Sequence, residues 1–313
     1  MRLKKLSFAI VGCLASLTLV GCGATAVPQA GEGADDSTEA RRRDMRTPPP
    51  HDMATPQDLV TPGACRLRFA AFGDTRPAVP GGTYPTAVVE SVFRAIDRLM
   101  PQLVVLSGDY IFVSGTDPTQ AAAQMDTFLT ARKQLSPLIP VHYILGNHED
   151  KNIPTFQSKL SANTYWSFTQ CGAKFVGIAN DAWDSTQAAW LTSELAKPSK
   201  YTFVFRHQYW GSHGVDPNND AAMQKIVTAH PYTLFIAGHD HAYKHKTTIT
   251  RGDARDVIAG NGGAPFDATF TNPFHGFILV EQQSNDDIKV TAYKADPGLD
   301  VPPVVMDTWS VKP

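Results

Sequence analysis

The sequence predicts an α/β fold with added antiparallel strands, on three observations. From Cys65 onward, short apolar runs alternate with amphipathic segments. The apolar runs end repeatedly in Gly or a polar residue, where the chain has to turn. The tail from Tyr243 is strand-like again, broken by the Gly-rich stretch Gly260 to Gly263. Buried strands that feed helices make layered α/β folds, and a strand-rich tail adds antiparallel pairs.

Taken in order, "RLRFAAFG" (66–73) is a strand and "YPTAVVESVFRAIDRLM" (84–100) an amphipathic helix. "QLVVLSG" (102–108) is a strand, "PTQAAAQMDTFLTARKQL" (118–135) a helix and "PVHYILG" (140–146) a strand. "NTYWSFTQCGAKFVGIAN" (163–180) reads as two strands joined at Cys171-Gly172. "TQAAWLTSELAK" (186–197) is a helix, "YTFVFR" (201–206) a strand, "AAMQKIVTAH" (221–230) a helix and "YTLFIAG" (232–238) a strand. No internal repeat is present.

The 313 residues include 28 basic and 30 acidic ones, giving a formal charge of -2, and 42% are hydrophobic. That is ordinary globular composition with material for a large core. Without a basic excess, no nucleic-acid-binding surface is evident.

Residues 1–64 stand outside the alternating pattern. "MRLKKLSFAIVGCLASLTLVGC" opens on Arg2, Lys4 and Lys5 and turns apolar, the pattern of a signal peptide. The run from Leu6 to Val20 is short for a membrane span. "LVGC", Leu19 to Cys22, resembles a bacterial lipobox. That resemblance implies a lipoprotein signal peptide over 1–21 and a lipid on Cys22. The protein would then be exported and lipid-anchored to the bacterial cell envelope, with plain secretion as the alternative. Residues 22–64 are rich in Pro, Thr, Asp and Gly and lack apolar periodicity, so they read as a disordered tether. The folded domain is expected over 65–313. Of the four cysteines, Cys13 would leave with the signal and Cys22 would be lipidated, which leaves Cys65 and Cys171. In an exported chain this pair reads as a disulfide, with two buried thiols as the alternative.

The strand ends carry the chemistry. "AAFGDTR" brings Asp74, "VVLSGDY" Asp109, "YILGNHED" Asn147 and His148, "FVFRHQY" His207, and "LFIAGHDH" His239 and His241. Open α/β sheets bind ligands beyond the carboxyl ends of their strands. One strand-end Asp is usually a turn or a cap; five such ends together point to a site. Carboxylate, amide and imidazole donors without thiolates suit Zn, Mn or Fe. They are too many for one ion with an open position, so two ions sharing a carboxylate are expected.

The order of "GNHE" and "GHDH", with the weaker "GD" pairs before them, resembles the calcineurin-like metallophosphoesterase superfamily, which includes the purple acid phosphatases. The likeness runs from about Arg66 to about Val290. It implies a four-layer α/β/β/α sandwich of two mixed sheets flanked by helices, and hydrolysis of phosphate esters. Asp109 would bridge two ions. Asn147, His207 and His239 would hold the second ion, and Asp74 and His241 the first. His148 would bind no ion but act at the leaving-group oxygen. "AGNGGAPF" after Ile258 resembles a backbone loop beside that site.

The first motif departs from the family pattern. Arg76 stands where a ligating His is usual, and Arg has donors only. The purple acid phosphatases use a Tyr three positions after the bridging Asp, and that position is Phe112 here. The first ion site is therefore expected to be weak, and Arg76 to contact a substrate phosphate. His213 is a further candidate for approaching the substrate. His142 reads as packed or at an edge, and His230, His245 and His275 as structural. Three functions stay open: a phosphomonoesterase, a phosphodiesterase or nucleotidase with the same centre, and a non-catalytic envelope binding protein. The oligomeric state is left open.

Overall fold

The computed structural model describes residues 65–246, 255–266, 273–297 and 300–313. The expected signal peptide, the lipid on Cys22 and the tether lie outside the described residues. Among the described residues no helix is long and apolar enough to cross a membrane.

Two six-stranded mixed sheets form the centre. The first half of the chain gives β1 (Arg68–Phe72), α1 (Thr86–Leu99), β2 (Leu103–Leu106), α2 (Pro118–Ala131), β3 (Val141–Tyr143) and α3 (Ile153–Lys159). Then come β4 (Trp166–Gln170), β5 (Ala173–Ile178), α4 (Ser185–Ala196), β6 (Tyr201–Arg206), α5 (Pro217–Thr228) and β7 (Leu234–Ala237). The tail supplies β8 (Tyr243–Lys246), β9 (Asp256–Ala259), β10 (Gly276–Gln282), β11 (Ile288–Lys294) and β12 (Val304–Val311). The first sheet has the order β12-β11-β10-β1-β2-β3, with β1, β2 and β3 parallel and the tail strands antiparallel. The second has the order β4-β5-β6-β7-β9-β8, parallel from β5 to β9 and antiparallel at both edges.

Three apolar layers hold these sheets. The middle one lies between the sheets, where Phe69 meets Phe175 and Phe203 edge-on at 5.1 and 4.9 Å. Burying a side chain of this size contributes about 1.5–3 kcal/mol. Outside the first sheet, α1 buries Val89, Val92, Phe93 and Ile96, the single stripe that a 3.6-residue period makes. Outside the second, α4 and α5 bury Leu191, Leu195, Met223 and Val227 against β5, β6 and β7. The result is the four-layer sandwich.

Some boundaries differ from the sequence expectation. The helix expected from Ala221 begins at Pro217, because Asp216 caps it by accepting from the N–H groups of Asn218 and Asn219. The strand expected to reach Gly146 ends at Tyr143, and the residues after it enter the site loop. Helix α3, seven residues long, was not expected. It is too short to show a period, and Phe156 holds it against the first outer core. Cys65 and Cys171 form the expected disulfide, across 106 residues of sequence.

Candidate metal centre

The site is assembled at one edge from both sheets. Strands β1, β2 and β3 lead to Asp74, Asp109 and the pair Asn147–His148; β6 and β7 lead to His207, His239 and His241. All are parallel strands, so their carboxyl ends share an edge. The turns there are tight. Asp74, Asp109, His239 and His241 have φ of 61°, 60°, 70° and 45°, the left-handed region that L-residues avoid. Each such residue costs about 1 kcal/mol or more, which only surrounding structure can hold in place. Gly146 permits a close approach: a Cβ there would stand 2.3 Å from Asp109 Oδ1.

Histidine orientation follows from backbone carbonyls. Each of the three rings donates through its far nitrogen: His207 Nδ1 to Ser107 O at 2.6 Å, His239 Nε2 to His213 O at 2.9 Å, and His241 Nδ1 to Pro265 O at 2.8 Å. A carbonyl only accepts, so those nitrogens carry protons, and in a neutral ring the near nitrogen presents a lone pair to the site. His207 Nε2 then faces Asp109 Oδ1 at 3.1 Å and Asn147 Oδ1 at 3.0 Å, and His239 Nδ1 faces Asn147 Oδ1 at 3.0 Å. Four ligand-type atoms thus converge, met only by the His148 backbone N–H, which donates to Asp109 Oδ1 at 3.2 Å, and by the proton that His207 itself retains. The arrangement suits a cation in place of that proton. The donor set suits a divalent ion of the Zn, Mn or Fe kind. Asp74, Asp109 and His207 also have donor atoms within 4.8 Å of one another.

The electrostatics agree. Burial disfavours charge on His207, but Asp109 and Asp74 outweigh it and push the group up to about 10. Burial alone would raise Asp109, yet His207, His148 and Arg76 hold it well below the usual carboxylate range. Burial raises Asp74 well above that range. The pocket attracts positive charge.

Glu149 was not among the expected site residues, although it closes the "GNHE" motif. It is fully buried and accepts four backbone N–H bonds, from Asp109, Tyr110, Ile111 and Gly146, at 2.8–3.1 Å. One carboxylate therefore ties the loop after β2 to the loop after β3. Burial and Asp109 push its pKa up to about 8. The backbone N–H donors pull the other way, favouring the ionised form, but do not outweigh burial and Asp109.

The other expected residues fall into place as follows. His148 Nε2 stands 3.7 Å from Asp109 Oδ2, and its ring lies edge-on to Phe112 at 4.1 Å. Arg76 is turned inward: Nε donates to Asp109 Oδ2 at 3.3 Å, Nη2 donates to His241 Nε2 at 3.2 Å, and the guanidinium lies over Phe112 at 4.4 Å. Tyr110 points away from the site, its hydroxyl 3.0 Å from both Leu106 O and Ile144 O, which share its one proton, within the outer core. His213 contributes its carbonyl rather than its ring, and the residue is exposed. The Gly-rich stretch lies against the site, with Gly262 N donating to Gly73 O at 2.8 Å and Ala264 N to Asp74 O at 2.7 Å. His142 stacks on Phe168 at 4.0 Å, His245 on Trp309 at 3.6 Å and His275 on Phe266 at 4.1 Å, while His230 bonds to Ile226 O within its own helix end.

Residues 67–243 match the sequence profile of the calcineurin-like phosphoesterase family. The chain belongs to that family, whose members are metallophosphoesterases, a class of phosphoric ester hydrolases. Among curated proteins, none matches the sequence. Solved structures share the fold at low identity. A purple acid phosphatase from yellow lupin (Lupinus luteus) seeds superposes with a TM-score of 0.61 and 16% identity, over 79% of this chain and 54% of its own. The chain thus spans about half of the lupin protein. GAP50, the anchor in the inner membrane complex of Plasmodium, superposes with a TM-score of 0.55 and 17% identity, over 78% of this chain and 89% of its own. A dimetal phosphatase from Danio rerio gives a TM-score of 0.53 and 16% identity, over 76% of this chain and 98% of its own.

Proposed function

We propose that the protein is a metal-dependent phosphomonoesterase. The observation that carries this reading is the convergence of the ligand-type side chains of Asp109, Asn147, His207 and His239, from both sheets, on one small volume. These four residues would hold a divalent ion, which acts as a Lewis acid toward a phosphoryl oxygen and acidifies water. His148 stands beside Asp109 with a ring free to meet the leaving-group oxygen as a proton donor. Arg76 adds positive charge on the other side of Asp109. Two adjoining centres of positive charge favour the dianion of a monoester over the single charge of a diester.

The test is hydrolysis by chelator-stripped protein re-supplied with Mn or Zn, on an aryl phosphomonoester, an aryl phosphodiester and a nucleotide. Metal-restored turnover, fastest on the monoester, is the expected outcome. Faster diester or nucleotide turnover sinks the substrate assignment, and no metal-dependent turnover on any of them sinks the enzymatic one. We also propose export with a lipid on Cys22, which the lipobox-like "LVGC" supports and the Cys65–Cys171 disulfide suits. Mass analysis of the mature N-terminus tests it; an unmodified Cys22, or a start elsewhere, removes the anchor.

A further inference from the structure

We infer that the centre holds a single ion, and that the Arg76 guanidinium occupies the place of a second cation. This rests on the metallophosphoesterase reading above and concerns how its positive charge is supplied.

The two oxygens of Asp109 face different partners. Oδ1 belongs to the cluster with His207 and Asn147 and accepts from the His148 backbone N–H at 3.2 Å, with no cationic side chain of Lys or Arg against it. Oδ2 is already met, by Arg76 Nε at 3.3 Å. The lone pair of His241, set by its bond to Pro265, is met as well, by Arg76 Nη2 at 3.2 Å. The third nitrogen of the guanidinium, Nη1, donates to Pro77 O at 2.9 Å, and the flat face rests on Phe112. The side chain is only 12% exposed. Arg76 is thus held at all three nitrogens and on one face, inside the acceptors that would surround a second ion.

A guanidinium has no acceptor and stays charged in proteins. It cannot ligate an ion, and it repels one that seeks the same acceptors. It does satisfy them, by hydrogen bonds, while adding a charge of one. Of its five N–H groups three are engaged, leaving two for an incoming anion. Phe112 completes the exchange: it offers no donor atom to an ion and instead supplies the ring under the guanidinium. Asp74 Oδ1 is buried without a hydrogen-bond partner, 3.6 Å from His241 Nε2. Removal of Arg76 would therefore release Asp109 and His241 beside an Asp74 oxygen that already lacks a partner.

The experiment counts ions. The mature protein is stripped with chelator and reloaded with Mn²⁺; bound Mn is measured by elemental analysis and its paramagnetic resonance spectrum recorded. One Mn per chain with the spectrum of an isolated ion is expected for the wild type. Arg76→His, which exchanges the cation for a ligand, is expected to bind two Mn per chain with a spin-coupled spectrum. Two coupled ions in the wild type overturn the inference and leave the metallophosphoesterase reading standing. One ion in both proteins also overturns it, because Arg76 is then not what excludes the second. No Mn in either protein removes the metal reading and the inference together. If Arg76→His does not fold, the wild-type count and spectrum alone decide.

Discussion

On one flank of Asp109, the Asn147 amide and the His207 and His239 rings, the rings fixed by backbone carbonyls, are crowded to about 3 Å. On the other flank Asp74 and His241 make a similar beginning, but a cationic side chain stands between them and Asp109. The fold treats the two flanks alike. Both draw on β1 or β3 of one sheet and β7 of the other, and both include residues at positive φ. What differs is a side chain at one position, Arg76, and the ring that receives it, Phe112. The comparison shows that a strand-edge site can keep its backbone frame while exchanging the source of its charge.

The comparison can be broken most completely at the residue both flanks share. Asp109→Ala is expected to abolish ion binding and to free Arg76, lowering turnover by more than the ~10²–10⁴ attributable to one positioned acid. Retained ion content in that variant would show that the flanks do not meet at Asp109. His148→Ala is expected to keep the ion while losing ~10²–10⁴ in kcat. Metal analysis beside kinetics separates the cases, since loss of the ion would make His148 a ligand. Glu149→Gln attacks the frame rather than the donors. It sets an amide N–H₂ against backbone N–H groups in a fully buried place, and about 1–3 kcal/mol of stability per unsatisfied N–H should be lost in urea unfolding. Phe112→Ala removes the ring under Arg76, which also borders His148, and touches no ion-binding side chain. Loss of a stacking contact worth about 0.5–2 kcal/mol should raise KM severalfold and leave the ion in place. A fall in ion content would mean that Phe112 supports both flanks.

The smallest effect belongs to a control remote from both flanks. Burial lowers the pKa of His142 from its ordinary value. The unfolded chain then binds the proton more readily, so this contribution is present above about pH 6.5 and is lost as pH falls toward the folded value. His142→Phe should therefore lose less stability than the wild type between neutral and mildly acid pH. An equal loss would place the pH dependence elsewhere.

The strands were legible because each is a short apolar run ending in Gly or a polar residue, and β6 agrees with its sequence reading to the residue. Strand-end donors were legible for the same reason: a ligand-type residue after a buried run has few structural uses. Other features depend on packing that no local pattern carries. Glu149 reads as one more polar loop residue until burial brings four N–H groups onto it. His213 reads as a ring near the site, yet its carbonyl is what the site uses, and any residue has one. The missing ligand at Arg76 was visible in the sequence. That its guanidinium would turn onto Asp109 and His241 was not, because that choice is made by Phe112 and by Pro77 O.

The disulfide has a mechanical consequence when set beside the ion site. Cys65 precedes β1 of one sheet, and Cys171 lies in the turn before β5 of the other. Both are at the amino ends of parallel strands, the edge opposite the site. The sandwich is thus riveted at one margin by a covalent bond and at the other by donors drawn from both sheets. In the chain-entropy picture, a bridge across 106 residues contributes about 4–5 kcal/mol. The opposite rivet is adjustable: at an ion concentration 100 times Kd it adds about 2.7 kcal/mol. How firmly the two sheets are clasped at that margin is therefore set by the surrounding ion supply.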